Sequence, residues 1–301
     1  MNALAEFLPL LQAHAPVGKY TAARIGGSAD WLYIARPDTP QAELSALIQA
    51  AWADEMPVRI LGAGANVLVS DAGIRGLVII NRLQAIHWHE AEGQVWATGG
   101  TSLLTLAREC LKRGMSGFEW AIGVPGTLGG ASVNNAGAHG GDMARNLLSA
   151  EVLFPDGVQV WDNAALAFGY RASTLKHRPD KRFFVQACTL QFSPDSPALI
   201  QSRMDEYSLA RKRSQPSGAS LGSVFKNPPH DYAGRLIEAC GLKGYSIGGA
   251  QVSPIHANFF VNAEDCSAQD YFALIQHVQA SVHLQTGIWL ELEIERVGEW
   301  A

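Results

Sequence analysis

The chain has 301 residues, with Lys+Arg 23 against Asp+Glu 28, a formal charge of −5, and 48% hydrophobic and 17% charged residues. At about 150 residues per domain this length suits two domains, each able to bury its own core, and the apolar fraction excludes disorder. No apolar run approaches the ~20 residues of a spanning helix, the opening segment has Glu6 and no basic stretch of a signal peptide, and the scattered Lys and Arg leave no footprint for nucleic acid.

In chain order, Trp31–Ala35 reads as a strand closed by Arg36-Pro37, and Gln41–Trp52 has helical spacing at Leu44, Leu47, Ile48 and Ala51. Val58–Leu61 is a second strand and runs into Gly62-Ala63-Gly64-Ala65-Asn66. Val67–Val69 follows at once, and Leu77–Ile80 comes after a turn at Ser70–Gly73. Gly62 and Gly64 invite the dinucleotide fingerprint GxGxxG, but Val67 replaces its third glycine and a strand-like run replaces its helix. What remains is a strand–turn–strand, either an ordinary tight turn or a nest of N–H groups for an anion.

Gln94–Thr98 reads as a strand, and the helix after it has Thr101 or Ser102 as N-cap and Gly114 as its stop. Residues 117–142 are so dense in glycine that neither a regular helix nor a regular strand is expected there; such backbone is shaped for close approach. Ala150–Phe154 and Val158–Trp161 flank Pro155-Asp156-Gly157 as a hairpin, and Phe183–Phe192 is a further strand. A basic helix from about Ser202 runs through Arg203, Arg211 and Arg213 to Pro216. Tyr232–Cys240 is a helix closed by Gly241, and Gln269–Leu284 is another, with Phe272, Leu274, Ile275, Val278 and Val282 on its apolar face. A final strand over Ile288–Val297 alternates Leu290, Leu292 and Ile294 with Glu291, Glu293 and Glu295, so its period of 2 sets the three carboxylates on one face. The overall pattern is α+β with mixed sheets.

Cys110, Cys188, Cys240 and Cys266 stand far apart with no CxxC pair, which argues against a disulfide framework or a zinc site. His87-Trp88-His89 sets two imidazoles on one strand face without a third ligand nearby in sequence, so no metal site is expected.

Four stretches together carry a resemblance: Leu61–Val69 (LGAGANVLV), Gly117–Gly130 (GFEWAIGVPGTLGG), Tyr170-Arg171-Ala172-Ser173 and Gly222–Pro228 (GSVFKNP). They resemble the UDP-N-acetylenolpyruvoylglucosamine reductase family, over about Thr21 to Gly298, and the compact third segment resembles its shorter subtype. The glycine turn and GVPGTLGG are shared with FAD domains of the vanillyl-alcohol-oxidase type; GSVFKNP and the closing LELE are particular to the reductases. The resemblance implies an α+β fold with a two-lobed FAD-binding region (1–82 and 83–202), a smaller α+β substrate domain (203–287) and a C-terminal strand (288–301) returning to the FAD region. It also implies a monomeric cytoplasmic enzyme without nucleic-acid or membrane partners.

In that family NADPH reduces FAD, and the flavin N5 then gives hydride to the enolpyruvyl ether of UDP-N-acetylglucosamine enolpyruvate. The enolic charge left beside the carboxylate needs stabilising until a proton arrives. By resemblance, Ser223 is the proton donor, Arg171 holds the carboxylate through its planar fork, and Glu293 polarises it. Without the resemblance the three read as a turn hydroxyl, a surface ion-pair partner and part of a solvated acidic stripe. Gly62, Gly64, Ala65 and Asn66 would cradle the FAD pyrophosphate, with Gly123, Gly126 and Thr127 along the rest of the nucleotide. The cofactor is expected to be non-covalent, His139 being the position to watch for a linkage. Tyr170, Lys226, Asn227, Lys243 and His256 are expected at the substrate.

The chain departs from the family after the acid, reading Glu293-Ile294-Glu295-Arg296 where relatives continue Glu-Val-Arg. A one-residue bulge would restore Arg296 to that place; otherwise Glu295 removes a positive charge, and the choice among Glu291, Glu293 and Glu295 depends on register. Two other functions fit parts of the pattern. An oxygen-using flavin oxidase would account for the glycine motifs but gives GSVFKNP no role, and a silent flavin-binding regulator would hold FAD that NADPH never reduces.

Overall fold

Apolar residues at helical or alternate spacing become elements wherever a partner surface buries them, and the computed structural model describes residues 3–300. In chain order the elements used below are β1 (Ser28–Ala35), α1 (Gln41–Ala53), β2 (Val58–Leu61), β3 (Val67–Val69), β4 (Ile74–Asn81), β5 (Ile86–His89), β6 (Gln94–Thr98), α2 (Leu103–Lys112) and α3 (Leu128–Asn134). They continue with β7 (Leu147–Phe154), β8 (Gly157–Asp162), β9 (Phe184–Gln191), α4 (Pro197–Ser214), β10 (Ser220–Ser223), α5 (Ala233–Ala239), β11 (Ala250–Val252), β12 (Phe259–Asn262), α6 (Ala268–Thr286) and β13 (Glu295–Val297). The α+β class expected from the sequence is the one observed.

The residues form two compact units, each assembled from separate stretches of chain. The first takes Met1–Leu11, Leu32–Gly62 and Leu77–Arg211; the second takes Gln12–Trp31, Ala63–Gly76 and Lys212–Ala301. The first unit is built on a five-stranded antiparallel sheet ordered β8-β7-β9-β6-β5. Its inward residues fall in cross-strand register, Ala150 opposite Cys188 and Cys188 opposite Ala97. They are buried with Leu106, Leu128, Phe118 and Trp120 in one core, into which Ile200 and Met204 of α4 also pack. In the same unit β2 runs parallel to the second half of β4, Val58 opposite Leu77 to Leu61 opposite Ile80.

The second unit carries an antiparallel sheet in which β10, β12 and β11 are neighbours. α6 buries Tyr271, Leu274, Ile275, Val278 and Val282 in its core. A capping box at Ser267 and Asp270 starts this helix, and the Asp71 carboxylate accepts the Ala268 and Gln269 N–H groups at 2.9 and 3.0 Å. β13 pairs parallel with β3, Glu295 opposite Val67 to Val297 opposite Val69.

Three expectations are corrected. The glycine-rich stretch does contain a regular helix, α3, because Leu128, Ala131 and Ser132 are buried there while Gly129 sits where a Cβ would be 3.1 Å from the Gly99 carbonyl oxygen. The final strand forms only at Glu295–Val297. Before it, the Lys226 N–H bonds to the Glu291 carbonyl and the Glu293 N–H to the Val224 carbonyl, contacts too sparse for a ladder. On α6 it is Tyr271 that is fully buried; Phe272 stays at the margin, with its ring and that of Trp300 flanking the Arg296 guanidinium at 4.3 and 5.4 Å. All four cysteines are free. Among the described residues no helix is long and apolar enough to cross a membrane, and no group of three or more His, Cys, Asp or Glu is arranged to hold a metal.

Candidate active site

In the first unit, glycine is required at Gly62, where a Cβ would lie 2.0 Å from the Thr127 Oγ1. Thr127 itself is the N-cap position of α3, in extended conformation. Gly123 and Gly126 hold φ of +71° and +153°, backbone that side chains resist. Main chain without a Cβ lets a nucleotide's phosphates approach backbone N–H groups, so Gly62, Gly123 and Gly126 fit a flavin nucleotide, with the Arg211 Nε 3.1 Å from where a Cβ of residue 123 would stand.

Arg171 belongs to this unit and sits at φ +53°. Its guanidinium donates to the carbonyl oxygens of Gly137 at 2.8 Å and Asn135 at 3.5 Å, and lies over the exposed Tyr170 ring at 5.5 Å. Asn135, whose sequence signal is only that of an asparagine ending a helix, is the scaffold here. It is left-handed at the C-cap of α3, donates to the Gly169 carbonyl and accepts the Ala144 N–H. His139 stacks on Tyr207 of α4 with ring centroids 4.3 Å apart. Partial desolvation and the neighbouring Arg211 charge hold its imidazole below the ordinary histidine range.

The second unit carries the other two chemical candidates. Ser223 ends β10 opposite Phe259, after Gly222 at φ +74°, which has open space where a Cβ would stand. The segment following it is clamped by Asn258, a residue the sequence reading passed over. Its backbone carbonyl accepts the Val224 N–H at 2.9 Å, its Oδ1 accepts the Phe225 N–H at 3.0 Å, and its Nδ2 donates to the Phe225 carbonyl at 2.8 Å. Asn258 is 3% exposed and fully engaged. On the other side of this segment the Glu293 N–H donates to the Val224 carbonyl at 2.8 Å. The second unit therefore brings Ser223 and Glu293 to adjoining backbone, whereas Arg171 is carried by the first.

Gly64 holds φ +59°, and a Cβ there would meet the Tyr20 carbonyl oxygen at 2.3 Å. Asn66 turns its carboxamide to the Glu293 carbonyl. Of the expected substrate contacts, Lys226 pairs with Glu291 at 3.3 Å and Lys243 with Glu238 at 2.8 Å, both at the surface. Asn227 Oδ1 accepts the Ala233 N–H and so caps α5. His256 Nδ1 accepts the Asn258 N–H at 3.2 Å, and burial keeps its imidazole below the ordinary histidine range. The Arg296 side chain is committed to Phe272 and Trp300, and the β13 register places Glu295 opposite Val67.

Known proteins match the chain in two parts. Residues 31–163 match the family described as FAD binding domain, and residues 214–297 match UDP-N-acetylenolpyruvoylglucosamine reductase, C-terminal domain. The chain is 41% identical over 298 residues to the UDP-N-acetylenolpyruvoylglucosamine reductase of Chloroflexus aggregans, covering 96% of this chain and 98% of the relative. It is 45% identical over 294 residues to that of Trichormus variabilis, covering 96% and 87%. The crystal structure of the Thermus caldophilus enzyme of the same name superposes with a TM-score of 0.80 at 36% identity, over 95% of this chain and 99% of the other.

Proposed function

The chain belongs to the UDP-N-acetylenolpyruvoylglucosamine reductase family, and from that membership we propose that it reduces UDP-N-acetylglucosamine enolpyruvate to UDP-N-acetylmuramate with NADPH as reductant. The protein is a flavin-dependent oxidoreductase. The observation that carries the finer reading is the pairing of Ser223 and Glu293 on adjoining backbone, joined through the 2.8 Å bond from the Glu293 N–H to the Val224 carbonyl.

FAD, held by the main chain of the glycine turn and the GVPG loop, would supply the hydride. What this chain must add is control of charge and protons at the pyruvyl carboxylate. A serine hydroxyl is too weak an acid to protonate a neutral carbon, so the Ser223 proton can go only to a carbon made strongly basic. The Arg171 fork, oriented by the Asn135 and Gly137 carbonyls, supports a bidentate grip on the carboxylate. The Glu293 carboxyl supports a hydrogen bond to the same group as negative charge builds. Lys226 and Lys243 are held only by surface ion pairs worth under about 1 kcal/mol each, so a diphosphate could draw both away.

The test is an anaerobic two-step absorbance measurement. The purified protein should be yellow, bleach with NADPH and recover its oxidised spectrum on addition of the enolpyruvyl sugar nucleotide. Bleaching without recovery would discard the substrate, and a colourless protein without affinity for FAD would discard the whole reading. In Ser223→Ala, bleaching should survive while steady-state formation of the saturated product slows by about 10²–10⁴-fold, the usual contribution of a positioned general acid. Product formed at the wild-type rate would remove Ser223 from the proton transfer.

A further inference from the structure

Asn66 ends the glycine turn and makes two bonds to the C-terminal segment. Its Nδ2 donates to the Glu293 carbonyl oxygen at 3.2 Å, and its backbone carbonyl accepts the Glu295 N–H at 2.9 Å. These bonds lie just ahead of the β3–β13 ladder, which begins at Val67 and Glu295. Because the Glu293 N–H goes to Val224, the main chain of Glu293 is held at both its donor and its acceptor. The donor is fixed by the segment that carries Ser223, and the acceptor by the glycine turn. A carboxamide used in this way aims its N–H at protein, and what the turn offers an anion is its backbone N–H groups.

We propose that Asn66 is a positioning residue for Glu293, tying the acid to the glycine turn so that occupancy of the turn by a phosphate ester sets where the Glu293 carboxylate lies. This inference rests on the reading of Glu293 as the acid at the substrate carboxylate. It assigns Asn66 a role different from the phosphate contact expected of it from the sequence. The bond is a single neutral one, yet its leverage on rate is larger than on stability, since a displacement of about 1 Å at a reacting group can cost ~10²-fold. Linkage is reciprocal: if a phosphate on the turn orders Glu293, the ordered segment tightens the hold on the phosphate by the same factor.

The experiment uses the full-length FAD-loaded enzyme, with Asn66→Ala, Glu293→Gln and the double variant. Asn66→Ser, too short to reach the carbonyl, stands in if alanine releases the flavin. In the Asn66 variant, FAD should stay bound and lose affinity by no more than the factor by which it protects residues 290–297 in the wild type, and the bound flavin should still bleach with NADPH. Recovery with the enolpyruvyl nucleotide should fall about 10–100-fold. Adding the Asn66 change to Glu293→Gln should cost under about 3-fold more, because both act through one carboxylate. Amide hydrogen exchange over 290–297 supplies a readout independent of turnover: FAD should protect this segment in the wild type and not in the Asn66 variant. Full additivity in the double variant, or undiminished protection by FAD without the carboxamide, would overturn the proposal. So would loss of flavin from both Asn66 variants, which would make Asn66 a direct ligand. If the wild type never recovers its spectrum, the substrate reading fails, and the exchange comparison still decides whether turn and acid are coupled.

Discussion

Two glycines in one turn look equivalent in the sequence and are not equivalent in what surrounds them. At Gly62 the obstacle to a methyl group is the Thr127 side chain, Oγ1 at 2.0 Å, whereas at Gly64 it is the Tyr20 carbonyl at 2.3 Å on a backbone with φ +59°. A side chain can be shortened and main chain cannot. Gly62→Ala should therefore destabilise by about 2 kcal/mol and be largely rescued by Thr127→Ala; Gly64→Ala should cost about 3 kcal/mol or more, combining overpacking with left-handed strain, and find no such rescue. Urea denaturation of the singles and the double checks both, and rescue failing at Gly62 would mean that its backbone conformation is what requires glycine. His256 adds a pH dependence whose sign follows from its surroundings. Burial lowers its affinity for protons in the folded state, with Lys243 acting in the same direction, and its Nδ1 must stay unprotonated to accept the Asn258 N–H. The unfolded chain then binds the proton more readily. The stability from the neutral imidazole is complete above the ordinary histidine value of about 6.5 and is lost as pH falls below it. The urea midpoint should drop between pH 7.5 and 5.5 by more in the wild type than in His256→Gln; equal drops would place the titration elsewhere.

At the scale of elements, legibility depended on whether the stabilising partner lies close in the chain. α2 could be read with its Ser102 cap and α6 with its amphipathic spacing, because caps and periodicity are local. α3 could not, since its glycines read as irregular backbone until Gly99 is seen pressing against Gly129. The last segment reads as a long strand from its alternation, but the partners of its backbone are scattered over Gln279, Lys226, Val224 and Asn66 before β3 is reached, and no local pattern shows that a ladder will be incomplete. Arg203 on α4 was visible merely as part of a basic helix. It bonds Glu119 at 2.7 Å and Asp195 at 2.6 Å, and so fastens the helix to the loop before the GVPG turn. Burial alone would raise the Glu119 carboxyl, but hydrogen bonds from backbone N–H groups, Arg203 and Ser116 outweigh it and hold the carboxyl below the usual range. Arg203→Met strands a carboxylate that is 8% exposed. The expected loss is about 2 kcal/mol, below the ~3–5 of a fully buried pair because Arg203 itself is a third exposed. Glu119 contributes its stability above the ordinary carboxyl value, and that contribution disappears as pH falls through its lowered folded value. Arg203→Met should accordingly move the acid-unfolding midpoint upward when followed by tryptophan fluorescence, and an unchanged midpoint would show that backbone donors alone keep Glu119 ionised. The Asp71 carboxylate on the first N–H groups of α6 is a smaller case, with Asp71→Ala expected to cost about 1 kcal/mol in the same urea assay.

The whole chain crosses between its two units at residues 11–12, 31–32, 62–63, 76–77 and 211–212. Length alone suits two bodies; it cannot show that each is woven from three stretches, because a segment such as Ala63–Gly76, with Val67, Leu68, Val69 and Ile74, is apolar enough for either core and nothing local says which one it joins. Packing settles it for the second unit. Ala23, Ile25 and Leu68 are buried in one cluster with Leu221, Phe225, Tyr271 and Ile294. β13 also finds its parallel partner in β3, more than 200 residues earlier. A fragment beginning at Lys212 would contain all of the residues that match the reductase C-terminal family, 214–297, yet lack that strand and those three core side chains. An unpaired strand edge and three missing apolar contacts, at roughly 1–2 kcal/mol each, are enough to exhaust the stability of a domain of about 90 residues. Expressed alone, 212–301 should show no cooperative urea transition and broad amide exchange over α6, whereas co-expression with 1–211 should restore both. If the isolated fragment instead unfolds cooperatively with α6 protected, Gln12–Trp31 and Ala63–Gly76 decorate the second unit and are not required to build it, and the contribution of the β3–β13 pairing to its stability would be correspondingly small.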